Sequence, residues 1–427
     1  KITDWLDLSF STRMSNIQND EPFKYDNGSS SETWFYEVYR MFPTLSVFLP
    51  NGDFAGLYLN SGNYNVVGKM ALAGRNKQEA WDQWYTGRFN IKPFKGLSIK
   101  GDYSWNRYSA SRKVHRKEMT QTFPEGAATW TVESPNYVQN KNSNDIYQAL
   151  NVWAEYQKSF KNAHNMVLMA GYNQEQKTLA STSYKMSNLY DNELPISDLA
   201  INYLENSETK DIWKVQGAFF RLNYDYQSKY LMEVNGRYDG SSKYAKDHRW
   251  AFFPSASVGW RISEEKFFKP LTKYVDNLKI RASFGALGNQ VTEGYHDYMS
   301  YLSGKVLSNY MMNGAIVNGL DIPTLPSLVT WEKVITKDVG LDWSLFNNRL
   351  FGSFDFYVRD TKNMVRSVVL PAVLGTSGGK ENIADMRTTG WELELTWKDK
   401  IDNVGLDFGL WNNRLTGNID VYFSKTN

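Results

Sequence analysis

The sequence predicts an all-β fold, an antiparallel transmembrane β-barrel, and three observations carry that prediction. The first is period-two alternation in segment after segment, which gives a strand one wet face and one apolar face. Over 230–239, Tyr230, Met232, Val234, Gly236 and Tyr238 share one face. Leu231, Glu233, Asn235, Arg237 and Asp239 share the other. The second is composition: aromatic residues make up 15%, with 27 Tyr and 15 Trp. Both types suit a membrane interface, because an apolar ring carries a polar tip. The third is the spacing of the links. Those at 95–96, 159–165, 225–229 and 347–349 are short, whereas 109–144, 177–210, 288–333 and 362–387 are long and rich in Gly, Ser, Asn and Thr. Short periplasmic turns and long external loops are the habit of outer-membrane barrels. A soluble sandwich has no reason to put every long loop at one end, and a propeller would show a self-similar period of about 40–50 residues.

The elements follow in order. A strand is expected near 3–14, where Leu6, Leu8 and Phe10 share a face, and one or two more between 60 and 80. Next come 84–94 and 97–108; in the latter Leu97, Ile99, Gly101, Tyr103 and Trp105 alternate with Ser98, Lys100, Asp102 and Ser104. Strands at 145–158, 166–176, 211–224 and 230–240 lead to 251–262, where Phe252, Ala256, Val258, Trp260 and Ile262 alternate with small and charged residues around an internal Pro254. Leu278, Ile280, Ala282 and Phe284 mark 277–287; further strands are expected at 334–346, 350–361 and 388–398. In the last, Trp391, Leu393, Leu395 and Trp397 oppose Glu392, Glu394 and Thr396.

Composition narrows the function classes. Cysteine is absent, so no disulfide framework, zinc cluster or thiol chemistry is available. The mean hydropathy of −0.54 argues against a helical membrane protein. It leaves a barrel open, since only alternate strand residues meet lipid. The formal charge of +2 comes from interspersed acids and bases, and no basic stripe points to nucleic acid. The four histidines, His115, His164, His248 and His296, are far apart, form no ligand pair and read as exposed loop residues. No nucleophile elbow or phosphate loop is present; the glycine run at 375–379 lacks the Lys-Ser/Thr ending. Glu392 and Glu394, about 7 Å apart on one strand face, could in principle do glycoside chemistry, but read better as wet lumen residues. No catalytic, cofactor or metal-binding residue is assigned, and the chain does not read as an enzyme. The Asn142-Ser143-Asn144-Asp145 run is a weak calcium candidate without the loop of an EF-hand.

The ends and one repeat bear on domain organisation. The chain opens at Lys1 without Met and is soon in a strand, so it is expected to be an interior piece of a longer protein. VGLDWSLFNNRLFGSFDFYVRDTK at 339–362 is echoed by VGLDFGLWNNRLTGNIDVYFSKTN at 404–427. Each copy reads as strand, tight Asn-Asn-Arg turn, strand. The second copy breaks the long–short order. Residues 1–400 are therefore expected to be an incomplete barrel wall, and 401–427 a hairpin of uncertain connection: either a local duplication with an unusually short outer loop or, the favoured reading, a segment joined across missing residues near 399–404.

Several runs resemble the SusC/RagA family of TonB-dependent outer-membrane transporters from Bacteroidetes. They are FRLNY at 220–224, YLMEV at 230–234, RYDGSS at 237–242, FPSASVGWRI at 253–262 and LKIRASFG at 278–285. GNQ at 288–290, WEK at 331–333, GLD at 340–342, NNRL at 347–350, NI at 382–383 and GWEL at 390–393 continue the series. The resemblance is specific over 220–395, weaker over 1–210, and departs after 400. It implies a 22-stranded barrel plugged by an N-terminal domain, of which this chain would be roughly half to two-thirds of the wall, without the plug or the last strands. It also implies import of an oligosaccharide or oligopeptide through the bacterial outer membrane. The implied partners are a SusD-like surface lipoprotein and TonB-ExbB-ExbD acting through the plug, with transporter–lipoprotein pairs able to dimerise. The alternative is a passive porin or surface-binding barrel without energy coupling. No cofactor is implied, beyond calcium in the partner or loops. Lumen-facing Glu233, Asn235, Arg237, Lys279, Arg281, Glu392 and Glu394 are the candidates to contact plug or substrate. The loop at 240–249 is expected on the extracellular side, near the capping lipoprotein.

Overall fold

A computed structural model describes residues 3–426 apart from 24–37, 40–45, 56–64, 123–128, 133, 162, 291–293, 297, 300–302, 322–328, 372, 374–377 and 401–413. In chain order the strands are β1 (Leu6–Pro22), β2 (Gly74–Phe94), β3 (Leu97–Arg116), β4 (Met119–Thr122), β5 (Thr129–Val132), β6 (Tyr137–Phe160), β7 (His164–Leu189) and β8 (Ala200–Tyr226). They continue with β9 (Tyr230–Ser241), β10 (Trp250–Arg261), β11 (Val275–Asn289), β12 (Ser303–Met312), β13 (Ala315–Asp321), β14 (Glu332–Leu345), β15 (Leu350–Ser367), β16 (Lys380–Lys400) and β17 (Arg414–Thr426). Thirteen form one sheet in the order β1-β2-β3-β6-β7-β8-β9-β10-β11-β14-β15-β16-β17. The pairs β4-β5 and β12-β13 are separate hairpins. Every ladder is antiparallel between sequence neighbours of the sheet, as an up-and-down barrel wall requires. No helix among the described residues is long and apolar enough to cross a membrane, which says nothing against strands that do.

Register aligns the apolar residues across strands. On one face Tyr156 lies opposite Leu168, Leu168 opposite Leu222, Leu222 opposite Val234, Val234 opposite Ala256 and Ala256 opposite Phe284. Many large members of this face, among them Phe220, Met232, Val258, Ile280, Val339 and Phe356, are exposed. An apolar surface that runs unbroken over strand after strand far exceeds what a water-soluble monomer presents, and it fits lipid. Pro254 falls where it does least harm: the ladder to β11 begins only at Ser255, so the missing N–H removes nothing from it. Opposite it, Gly236 is roofed by Phe220 and Phe252; a Cβ there would meet the Phe220 ring at 2.4 Å and Phe252 at 3.1 Å. Gly236→Val is expected to lower barrel stability by about 1–3 kcal/mol through overpacking. A reduced urea midpoint for the refolded barrel, followed by heat-modifiable gel mobility, would show it.

Tight turns close one end. Gln227 and Ser228, then Phe346, Asn347 and Asn348, adopt left-handed backbone with φ of 55–60°, a conformation asparagine tolerates better than most residues. The Asn348 N–H donates to the Asp276 carboxylate (2.8 Å), tying this turn to the start of β11. At the other end the strands run on past the membrane. Much of the expected loops 109–144 and 177–210 is strand: β3 extends to Arg116, β6 begins at Tyr137, and β7 and β8 are 26 and 27 residues long. The expected strand between 60 and 80 is corrected too. Helix α1 (Val66–Leu72) occupies this stretch, capped by the Asn65 side chain accepting from the Gly68 N–H (3.1 Å), and β2 starts just after it. Two small cores form at this same end, one around Phe23, Ala73, Val114, Met119 and Tyr137, the other around Tyr244, Phe253, Val329 and Trp331.

The second repeat copy is described only in part. β17 pairs with β16 over thirteen positions, from Thr388–Thr426 to Lys400–Arg414. The link expected near 399–404 and the first strand of the copy lie largely outside the described residues. The glycine run at 375–379 likewise lies mostly outside them. The Asn142-Ser143-Asn144-Asp145 run is interior to β6, where neighbours point to opposite faces, and Asn144 Oδ1 accepts from Arg107 Nε (3.0 Å). Of the histidines, His248 and His296 are exposed as expected, but two are not loop residues. His115 is buried in β3. His164 opens β7, stacks on Phe160 (4.7 Å, 4°) and shares a hydrogen bond with the Tyr224 hydroxyl (2.7 Å).

Candidate functional site: the polar inner face

The face opposite the apolar one is polar and internally bonded. Across β3, β6 and β7, Asn173 Nδ2 donates to Asn151 Oδ1 (2.7 Å), and Asn151 Nδ2 donates to Asp102 Oδ1 (2.9 Å). Alternation puts all three on one side, and the register places them abreast. Five of the seven predicted site residues fall into three groups on this face. Glu233 and Asn235 join one chain: Arg221 Nε donates to Asn235 Oδ1 (2.9 Å), and Asn235 Nδ2 donates to Glu233 Oε1 (2.7 Å). Arg237 is separate. It makes a two-pronged contact with Asp239 (3.1 and 2.8 Å) while its guanidinium lies 5.3 Å from the centre of the Phe219 ring.

Lys279 and Arg281 form the third group, the most densely charged part of the described wall. Lys279 Nζ lies 3.3 Å from the Asp342 carboxylate. Arg281 reaches three carboxylates at once: Nε to Asp342 (3.1 Å), Nη1 to Asp338 (3.2 Å) and Nη2 to Asp355 (2.6 Å). A planar guanidinium with five fixed donors can do this; an ammonium cannot reproduce the fan. The place is kept open for it by Gly340, directly opposite Arg281, where a Cβ would meet the guanidinium carbon at 2.5 Å.

Glu392 and Glu394 are not drawn into this cluster. They lie opposite Asp355 and Ser353 in register and are exposed on the inner face. Asp338, Asp342, Asp355, Glu392 and Glu394 together outnumber Lys279 and Arg281, so this sector is acidic. Beside it the wall dips into a hollow of about 490 Å³. Small residues make the dip: Ser257 and Gly259 of β10 sit between Asn223 and Glu233 on one side and Lys279, Arg281 and Ser283 on the other. The hollow has hydrogen-bonding groups of both kinds and no nucleophile–base pair. Among the described residues no group of three or more His, Cys, Asp or Glu is placed to hold a metal ion.

Sequence reasoning named Lys279 and Arg281 but missed Asp338, Asp342 and Asp355, which decide what those cations do. Alternation signals the face of each aspartate; only register brings them to Arg281.

Comparison with known proteins agrees with this architecture. The family model for the TonB dependent receptor-like β-barrel matches residues 14–426. TonB-dependent receptor P26 of Formosa agariphila is 27% identical over 380 residues, 84% of this chain and 36% of that protein. TonB-dependent receptor SusC of Bacteroides thetaiotaomicron is 34% identical over 187 residues, 42% of this chain and 18% of that protein. Among solved structures, the RagAB peptide transporter superposes with a TM-score of 0.76 at 20% identity, covering all of this chain and 45% of that one. The chain thus spans about a third of the length of the first of these relatives and under half of the solved transporter chain. An apolar outer face, a bonded polar inner face and a family match over nearly the whole length lead to one assignment: the chain belongs to the TonB-dependent receptor-like β-barrel family, of the bacterial outer membrane.

Proposed function

We propose that the protein containing this chain imports an oligosaccharide or oligopeptide through the outer membrane, and that the chain supplies wall and rim of the transport lumen. The observation that carries this reading is the inner face. It is lined with charge held in fixed hydrogen-bonded groups, which suits contact with a plug and a polar solute. The fold shared with a peptide transporter supports the class. Energy would come from TonB-ExbB-ExbD through a plug. A SusD-like lipoprotein would close over the rim where β9 ends and β10 begins. The exposed Glu392 and Glu394, with Glu233, are the side chains on this face best placed to meet plug or solute.

Deletion of the full gene is expected to abolish uptake of a labelled oligopeptide or oligosaccharide pool. Dissipating the proton-motive force in the parent strain should reduce uptake to the background of the deletion strain. Uptake that survives the uncoupler would overturn energy coupling in favour of a passive pore.

A further inference from the structure

The link between β10 and β11 differs from the other described turns at its end of the barrel. Those at 95–96, 161–163, 227–229 and 346–349 are brief, whereas 262–274 folds into two 3-10 segments, Ile262–Glu264 and Lys266–Leu271. This link is held firmly. Phe268 is only 6% exposed, and Ser263 Oγ donates to Asn277 Oδ1 (3.3 Å). The Glu265 carboxylate accepts from the Tyr230 hydroxyl (2.7 Å), from Trp260 Nε1 (3.3 Å) and from Lys229 Nζ (3.2 Å). Tyr226, Tyr230 and Trp260 are themselves a stacked row, with centroids 6.2 and 6.5 Å apart, at the foot of the apolar outer face. The segment therefore hangs from the aromatic belt that meets lipid.

From that fixed frame its apolar side chains project outward. Phe267 is 66% exposed, Leu271 52% and Tyr274 58%. The next turn adds Phe346, also exposed, whose N–H donates to the Tyr274 carbonyl (3.1 Å). Interleaved with these rings are the exposed Lys266, Lys269 and Lys273. Of the two carboxylates in the segment, Glu265 is already matched by Lys229, which leaves only Glu264 against three ammonium groups. Exposed rings beside lysines on long stems, continuous with a lipid-facing belt, match the chemistry of a headgroup layer. Anionic headgroups add attraction for each lysine near the surface.

We propose that 262–274 is a lipid anchor in the periplasmic leaflet. Phe267, Leu271 and Tyr274 enter the acyl boundary, and Lys266, Lys269 and Lys273 engage the phosphates of an anionic phospholipid. The chain has no cysteine, so nitroxide labels can be placed here singly, at Phe267→Cys and Leu271→Cys, in the full-length protein with any cysteine elsewhere replaced. The protein would be reconstituted in phosphatidylcholine vesicles, with or without about a third phosphatidylglycerol. The readout is the ratio of collisions with oxygen to collisions with a water-soluble nickel chelate. It is expected to be at least about threefold higher at both sites than at a label on Ser228, in the neighbouring exposed turn. Phosphatidylglycerol should raise it further, and the rise should vanish when Lys266, Lys269 and Lys273 are all changed to Ser, with heat-modifiable mobility confirming a folded barrel. Ratios equal to that at Ser228 would overturn the anchor and leave a periplasmic protein as the occupant of this face. A high ratio indifferent to phosphatidylglycerol would overturn the anionic-lipid assignment.

Discussion

Arg281→Met is expected to destabilise the barrel by about 2–3 kcal/mol. The substitution keeps the stem and removes the cation shared by Asp338, Asp342 and Asp355. Three carboxylates would then face one another with only Lys279, on Asp342, to offset them. Breaking a fully buried pair typically costs about 3–5 kcal/mol. The side chains here are 17–31% exposed, so each group recovers part of its hydration and the lower figure applies. Urea unfolding in lipid, followed by gel mobility, measures the loss. Adding Asp338→Asn and Asp355→Asn to the same protein should restore at least half of it, because the repulsion goes with the charges. Glu394→Gln, on an exposed carboxylate of the same face, should change stability by no more than about 0.5 kcal/mol. Parent-like stability for Arg281→Met would show that the aspartates are satisfied without the guanidinium.

The contrast between Arg281 and Glu394 also shows what the sequence made legible. Face assignment follows from parity, so Glu233, Asn235, Arg237, Lys279, Arg281, Glu392 and Glu394 could be placed together on the polar side. Partnership does not follow from parity. Arg281 meets Asp338, Asp342 and Asp355 only because β14 and β15 are registered so that Gly340 lies opposite both Arg281 and Asp355, and register depends on turns and bulges along the whole hairpin. Strand existence was readable where one face meets lipid. It was not readable toward the rim, where 109–116 and 177–189 carry polar residues at positions of both parities and alternation fades, although Val114 packs into a small core. Helix α1 was missed for another reason. VVGKMAL is a short apolar run whose period fits helix or strand, and the one local signal was the Asn65 cap. His115 and His164 were read as exposed because they fell in the expected links 109–144 and 159–165, yet one is buried in β3 and the other sits in an aromatic stack.

Trp331→Ala is expected to release the rim without opening the wall. Trp331 is 4% exposed; its ring lies 5.4 Å from both Tyr244 and Phe253, and its indole N–H donates to the Arg249 carbonyl (2.7 Å). Tyr244 is 1% exposed, and burial, with the nearby Glu332 carboxylate, pushes its hydroxyl pKa up, so the ring stays neutral and packed. Around this pair the chain is tied by bonds from loop to strand. Thr330 Oγ1 donates to the His248 carbonyl (3.0 Å), the Thr330 N–H donates to Asn382 Oδ1 (2.8 Å), and the Val365 N–H donates to Glu332 Oε1 (2.7 Å). The indole, with Thr330 and Glu332 on either side of it, thus fastens the 242–249 loop, the entry to β14 and the top of β15. Deleting it leaves a cavity and removes one of the two donors to the Arg249 carbonyl, which keeps the Ser241 N–H (3.2 Å), a loss of about 3–5 kcal/mol that comes mainly from the cavity. The wall strands below keep their ladders, so the loss should stay local. Amides of 242–249 should exchange about 10²–10³ times faster, while those of 252–260 stay protected. Trp331→Phe, which keeps a ring and loses the indole bond, should give an intermediate effect near 1 kcal/mol. If the wall amides lost protection together with the loop, the rim would be part of one cooperative unit with the barrel rather than a separate clasp.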